Sequence, residues 1–397
     1  MTMETLDLAS VALDRSFLEV IDPLEKLRRC IQCGTCSTTC PTAYAMDYTP
    51  RQVWRMVNLG MRDEVLKSRT FWLCTTCKSC QVQCPRGIDL MEAMIALKEY
   101  SFNSDINVPE GMKTFGETIT THHNISGDDN ATRSIWSQNL ARIPLGVKPG
   151  KKQAEVLYFI GCVSSFYPRV YGIPQAVVQI LDRADADFTT VGGNEWCCGY
   201  PLHIAGMGSQ MAELARHNVQ KARDIGVKRI VFSCPSCFYA WAHLYPEYAD
   251  VSGIKLQHAT EYLAELLADG PIPLGAVEET VTYHDPCDLG RKSGVYDAPR
   301  EVLARIPGLD FREMSAIREN AVCCGGGGDV EVSDRTVTAT VAGQRAAQAQ
   351  ATGAKYVLSA CQQCKRTLQE GARQNKIRMR AMDIIELVWK SMESAGP

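Results

Sequence analysis

The chain has 397 residues, of which 45% are hydrophobic and 22% charged, with a formal net charge of −3. It is long enough for two or three globular cores. The balanced charge, with no run of Lys or Arg, argues against nucleic acid as a partner, and no apolar stretch approaches the roughly 20 residues that span a bilayer.

The first twenty residues contain acidic side chains and no apolar signal-peptide core. A cytoplasmic location is expected, with any membrane contact made through partners. In such a chain, 18 cysteines are expected to be metal ligands or redox groups before they are disulfides.

The first cysteine run is CIQCGTCSTTCP, with Cys30, Cys33, Cys36 and Cys40 before Pro41. The second is CTTCKSCQVQCP, with Cys74, Cys77, Cys80 and Cys84 before Pro85. Both read C-x2-C-x2-C-x3-C-P, the spacing that wraps three thiolates around one 4Fe–4S cubane and sends the fourth cysteine to the neighbouring cluster. One cluster is therefore expected on Cys30, Cys33, Cys36 and Cys84, the other on Cys74, Cys77, Cys80 and Cys40. Zinc or a redox dithiol is the alternative, but zinc rarely uses so compact a run twice. Gly34, Thr35, Ser37 and Ser79 are candidates to hydrogen-bond sulfur.

Between the runs, Thr49, Pro50 and Gln52 form a helix-start signature, followed by an apolar stripe of Val53, Met56 and Val57. After Pro85, the spacing of Ile88, Met91, Met94 and Ile95 predicts a second amphipathic helix. Residues 1–104 are expected to form a helical two-cluster unit. Residues 105–152, polar around HHNISGDDN, are expected to be a linker. The His122–His123 pair within it has no nearby acid or cysteine to make a metal site.

From residue 153 the sequence repeats once. The first copy carries Cys162, Cys197–Cys198–Gly199 and Cys234-Pro-Ser-Cys237. The second carries Cys287, Cys323–Cys324–Gly325 and Cys361-Gln-Gln-Cys364. The offsets are 125, 126 and 127 residues, and Tyr171/Tyr296, Pro174/Pro299, Gly226/Gly353 and Lys228/Lys355 keep the register. VLYFIGC, KRIVFSC, VTYHDPC and KYVLSAC each predict a buried strand ending in a cysteine, and helical patterns such as Val177, Val178, Ile180 and Leu181 lie between them. Alternating strands and helices favour a small parallel sheet per copy, over 153–272 and 278–397. The cysteines then converge where strands end and helices begin. Five thiolates exceed the four of a cubane or a structural zinc site. A thioredoxin-like role for Cys234 and Cys237 would leave Cys162, Cys197 and Cys198 unexplained.

These motifs carry a resemblance. CIQCGTCSTTCP and WLCTTCKSCQVQCPRGID are similar to the C-type subunit of heterodisulfide reductase. GC…CCG…CPSC and PC…CCGGGG…CQQC resemble the paired cysteine-rich (CCG) domains of its B-type subunit, and the fused order resembles its D-type subunit. The resemblance implies an α+β chain: an α-helical two-cluster ferredoxin domain followed by two duplicated α/β CCG domains. It implies noncubane 4Fe–4S clusters on Cys162, Cys197, Cys198, Cys234 and Cys237, and on Cys287, Cys323, Cys324, Cys361 and Cys364, with zinc at one of them as the alternative. It implies an iron–sulfur oxidoreductase, working as a subunit of a complex, that reduces a small disulfide between these sites. The alternative is a pure electron relay in a flavin-containing assembly of the benzoyl-coenzyme A reductase or quinone-linked type, or an iron–sulfur subunit for glycolate, lactate or glycerol-3-phosphate oxidation. Expected partners are a flavoprotein, other iron–sulfur subunits or a membrane cytochrome subunit. A zinc-stapled scaffold is the non-redox reading.

Other residues stand near these cysteines. His203 and His284 are candidates to hydrogen-bond sulfur or donate a proton, against simple packing. Arg291, Lys292, Lys365 and Arg366 are candidates for an anion, against a solvated face. Gly325–Gly328 offers backbone donors but lacks a P-loop ending, and no GxGxxG follows a strand, so electrons are expected to come from or go to another protein.

Overall fold

The computed structural model describes residues 13–148, 151, 153–269 and 272–396. Part of the N-terminal segment, and residues 152, 270 and 271 at expected domain edges, lie outside the described residues.

Residues 13–104 form helices and turns without a strand. Thr49 and Gln52 close a capping box, with Thr49 N–H donating to Gln52 Oε1 at 2.8 Å, and the helix Pro50–Leu59 follows. Its stripe of Val53, Trp54, Met56 and Val57 is buried. The helix Leu90–Ser104 buries Met91, Met94, Ile95 and Leu97, and with them Lys98. The two cysteine runs share their backbone shape. Gln32 and Thr76 are left-handed at equivalent positions, as are Gly34 and Lys78.

The duplication appears as two four-stranded, all-parallel sheets. The first contains β1 (Val156–Phe159), β2 (Phe188–Thr189), β3 (Arg229–Phe232) and β4 (Lys255–His258) in the order β2-β1-β3-β4. The second contains β5 (Thr280–His284), β6 (Asp310–Phe311), β7 (Tyr356–Ser359) and β8 (Arg380–Asp383) in the order β6-β5-β7-β8. Helices cover both faces, so the central strands are almost wholly apolar and buried, as in Val156–Phe159. In each sheet the chain leaves its first strand to one side and returns on the other. The topological switch point therefore lies between β1 and β3, and between β5 and β7, which is where ligands bind in such sheets. Cys162 and Cys234 follow β1 and β3; Cys287 and Cys361 follow β5 and β7.

The two copies pack on each other through the helices Gly172–Arg183 and Ile384–Ser394. Gln362 of the second copy crosses to the first. Its Nε2 donates to the Ile160 carbonyl (2.7 Å) and to Ser233 Oγ (2.9 Å), and its Oε1 accepts from Ser164 N–H (3.1 Å).

Residues 105–152 do more than link. They hold the helix Glu110–His122 and a 3-10 segment, Asn130–Asn139, which packs on the helix Cys162–Phe166. Met112, Ile119 and Trp136 are fully buried. The polar stretch expected to be a linker hydrogen-bonds to itself. Asn124 Oδ1 accepts from the backbone of Ser126 and Gly127, and its Nδ2 donates to the carbonyls of His122 and Asp128.

Candidate metal centres and the cavity between them

Cys84 lies with Cys30, Cys33 and Cys36 around one small cavity closed by Trp54 and Ile88. Cys40 is instead close enough to Cys74 and Cys77 for their charges to act on it. The structure thus brings together the two crossed sets of four expected from the spacing. Burial pushes the free thiols of Cys36 and Cys40 up, to about 11 and about 12. Iron would reverse this, because a coordinating thiol is deprotonated outright. Gln32 Nε2 donates to Cys30 Sγ at 3.3 Å, Thr76 N–H to Cys74 Sγ at 3.4 Å, and the hydroxyls of Thr35 and Thr42 lie 3.4 Å from Cys33 and Cys40. Of this unit's cysteines, Cys33 is exposed.

In the first copy Cys162, Cys197, Cys198, Cys237 and Cys234 form a continuous series of thiol contacts. In the second copy Cys287, Cys323, Cys324, Cys364 and Cys361 do the same, with Cys324 Sγ and Cys364 Sγ 3.2 Å apart. Nine of these ten cysteines are buried; Cys287 is half-buried. Each CCG glycine is left-handed (Gly199 at φ +77°, Gly325 at +82°), and a Cβ there would press on Met211 or on the Thr338 carbonyl. Gly325 and Gly326 aim N–H groups at Cys323 Sγ (3.3 Å) and Cys324 Sγ (3.4 Å). Five converging thiols fit an iron–sulfur group and exceed what one zinc ion takes.

The two sites are not electrostatic copies. At the first, Arg133 Nη2 donates to Cys162 Sγ at 3.1 Å and Arg133 Nη1 to Glu195 Oε1 at 3.0 Å, with both side chains buried. Glu195 also accepts the N–H groups of Ile160 and Gly161, at 2.8 Å each. At the second, Arg345 Nε donates to His284 Nδ1 at 3.1 Å. A ring nitrogen of His284 lies within 4.8 Å of the sulfurs of Cys324 and Cys364. His284 is thus at the thiols. His203 is not: it does not line the cavity described below, and burial with the Lys292 charge lowers it to about 4.

The four basic candidates are not a solvated face. Arg291 is buried, its Nε donating to the Cys77 carbonyl and its Nη1 to the Ala321 carbonyl, both at 2.6 Å. Lys292 is buried against Asp288 (2.8 Å) and the Tyr200 hydroxyl. Lys365 pairs with Glu386 at 2.7 Å. Arg366 bonds Glu331 and lies over the Tyr167 ring. Lys292, Lys365 and Arg366 are each paired with a carboxylate, whereas Arg291 is held by backbone carbonyls and its Nη2 is buried without a hydrogen-bond partner among the described residues. His123 stacks on Trp196 at 3.6 Å, and its carbonyl accepts the Cys197 N–H at 2.7 Å.

Three contacts join the helical unit to the duplicated half. The Cys77 thiol meets Cys323. Gly328 lies so close to the Cys74 carbonyl that a Cβ there would overlap it. Buried Lys98 donates to the carbonyls of Ile204 (3.1 Å) and Gly328 (3.0 Å), tying all three domains.

Both five-cysteine sites open into one cavity of about 540 Å³. Nine of the ten cysteines line it, all but Cys323. Its remaining wall includes Phe115, Tyr200, Asp288 and Asp329, and Tyr167, Glu331, Arg335 and Arg366 continue into a second, outer cavity.

Residues 26–88 match the 4Fe-4S dicluster domain family, and residues 156–241 and 281–369 match the Cysteine-rich domain family. The D-type subunit of the dihydromethanophenazine:CoB–CoM heterodisulfide reductase of Methanosarcina mazei is 32% identical, over 93% of this chain and 95% of its own length. The chain belongs to the family of heterodisulfide reductase D-type subunits. It is an iron–sulfur oxidoreductase subunit with a ferredoxin domain and two CCG domains. The EtfAB:quinone oxidoreductase of Syntrophomonas wolfei is 28% identical over 83% of this chain and 48% of its own length. A hypothetical protein from Helicobacter pylori shares the fold, with a TM-score of 0.59 at 10% identity, covering 96% of this chain and 76% of its own. No described helix is long and apolar enough to cross a membrane.

Arg133, Glu195, Gln362, Lys98, Arg345 and Asp329 escaped sequence reasoning. Two had a signal. Lys98 falls in register with Met91, Met94 and Ser101, and Arg345 with Val341, Ala342 and Ala349. Each is a charge on an otherwise buried helical face.

Proposed function

We propose that this subunit passes electrons through two cubanes, on Cys30/Cys33/Cys36/Cys84 and on Cys40/Cys74/Cys77/Cys80, to noncubane clusters on the two five-cysteine sites, and that a small disulfide is reduced between those sites. The observation that carries this is the single cavity lined by cysteines from both copies. A disulfide has two sulfurs to be met from two sides, and the cavity presents a thiol site on each. The clusters, when bound, supply one-electron transfer. The chain's own residues set the order: exposed Cys33 marks the end open to a partner, and the Cys77–Cys323 contact hands over to the second copy. Arg133 and the Gly325–Gly326 N–H groups stabilise thiolate charge at the two sites.

The expected partner at the Cys33 end is a flavoprotein or another iron–sulfur subunit, with a membrane cytochrome subunit as the quinone-side counterpart. The name of the Syntrophomonas relative favours a relay between a flavoprotein and a quinone as the second reading. Reduced methyl viologen and a panel of disulfides, given to anaerobically purified protein of known iron, zinc and sulfide content, separate the two. Thiol release at the expense of viologen supports disulfide reduction. No thiol release from any disulfide, with fast electron exchange with a flavoprotein, establishes the relay. Zinc in place of iron at both sites overturns both.

A further inference from the structure

Asp329 ends the glycine run and turns left-handed (φ +55°) into the helix Val330–Ser333. It lines the cavity with Cys198, Cys324, Cys361 and Cys364. Its Oδ2 is buried and has no hydrogen-bond partner among the described residues. Asp329 as a whole is half-buried, and a buried carboxyl oxygen that meets no donor favours the protonated form. Lys98 approaches from the ferredoxin domain, but its ammonium bonds two carbonyls and acts on Asp329 through charge alone. Burial outweighs that charge and lifts Asp329 to about 7. The helix Glu110–His122, packed on this turn, carries Glu110, Lys113, Glu117 and His122; the helix Arg335–Gln350 carries Arg335 and Arg345; the turn Phe71–Leu73 carries none; and Glu331 on the same helix is bonded to Arg366. Of all these groups, Lys98 is the one whose charge bears on Asp329.

We propose that Asp329 is the general acid of the cavity, giving its proton to a thiolate released when a disulfide bound there is cleaved. The proposal rests on the disulfide reading above. The S–S bond takes up two electrons, drawn one at a time from a low-potential one-electron donor protein, and breaks into two thiolates. One takes the Asp329 proton and leaves as a thiol. The carboxylate, now beside Lys98, is reprotonated by water entering at the cavity mouth. The second thiolate takes its proton from water on release, so two electrons and two protons are consumed per disulfide.

The test uses the holoprotein and its Asp329→Asn and Asp329→Glu variants. Near neutral pH the wild type should show the infrared carbonyl band of a protonated carboxyl that is missing from Asp329→Asn, whether or not substrate is present. With reduced methyl viologen as donor, Asp329→Asn should slow cleavage of alkyl disulfides, whose leaving thiols have high pKa, by on the order of 10²-fold. Aryl disulfides, whose thiolates leave unprotonated, should be cleaved at the wild-type rate. Asp329→Glu should restore part of the alkyl rate. Equal effects on alkyl and aryl disulfides, or no protonated band, overturn the general acid while leaving disulfide reduction standing. A wild type that cleaves neither class overturns the disulfide reading and the general acid with it.

Discussion

Arg133 Nη2 lies 3.1 Å from Cys162 Sγ, while Nη1 of the same guanidinium lies 3.0 Å from Glu195 Oε1. A residue from the stretch between the domains thus sets the charge at the first five-cysteine site. Both partners are buried, so removing one strands the other. Arg133→Ala should cost about 3–5 kcal/mol, read as a fall in the denaturant midpoint. It should also move the first site's redox midpoint to more negative potential, because a donor to thiolate sulfur is lost. Arg133→Lys should recover part of the stability and less of the potential, since one ammonium does not reproduce the fork.

Cys84 lies with the first cysteine run and Cys40 with the second. Cys84→Ala should therefore perturb the spectrum of the cluster that Cys33→Ala also perturbs. Cys40→Ala should perturb the one shared with Cys77→Ala. EPR of the four variants checks the pairing. A Cys84→Ala spectrum that matches Cys77→Ala would reverse it.

Lys98 lowers the Asp329 carboxyl, and burial raises it to about 7. Removing the ammonium removes the lowering influence. In Lys98→Met the protonated carboxyl should persist to higher pH than in the wild type, measured by infrared titration. An acid works while protonated, so the alkaline fall in alkyl-disulfide cleavage should move to higher pH in the same direction.

The sheets and cysteines were legible because their physics is local. VLYFIGC and its three counterparts are apolar runs of strand length ending in a ligand residue, and all four are strands. The fourth-cysteine crossing was legible because the spacing leaves three ligands per loop. The short edge strands β2 and β6 were not, since two residues leave no period to read. Arg133 was hidden because its stretch is polar on the surface and its partners lie 29 and 62 residues away. The burial of Arg291 was hidden for the same reason, since the Cys77 carbonyl it meets is 214 residues away, while the Asp288 that pairs with Lys292 lies at a spacing of four that the sequence does offer.

Asp383 caps the helix Ile384–Ser394, its Oδ1 accepting the Ile385 N–H at 3.0 Å, while its Oδ2 is buried without a partner among the described residues. Burial raises it from 3.8 to about 8. Between those values the folded chain holds a proton that the unfolded chain has released. Its contribution to stability is thus fully present below about pH 4, falls as pH rises towards about 8, and is flat above. Asp383→Asn does not titrate. Its stability relative to the wild type should rise from pH 5 to pH 8, seen as a shift in the difference between denaturant midpoints.

Two clusters facing one disulfide-binding cavity should respond to a disulfide or its thiols. EPR of the anaerobic, oxidised holoprotein, titrated with disulfides and their thiols, tests it most directly in the wild type, Cys198→Ala and Cys324→Ala. A paramagnetic signal should appear only with substrate and be lost in at least one of these variants, while the cubane signals persist in both. No substrate-dependent signal with any disulfide or thiol, in protein carrying its full iron, would contradict it.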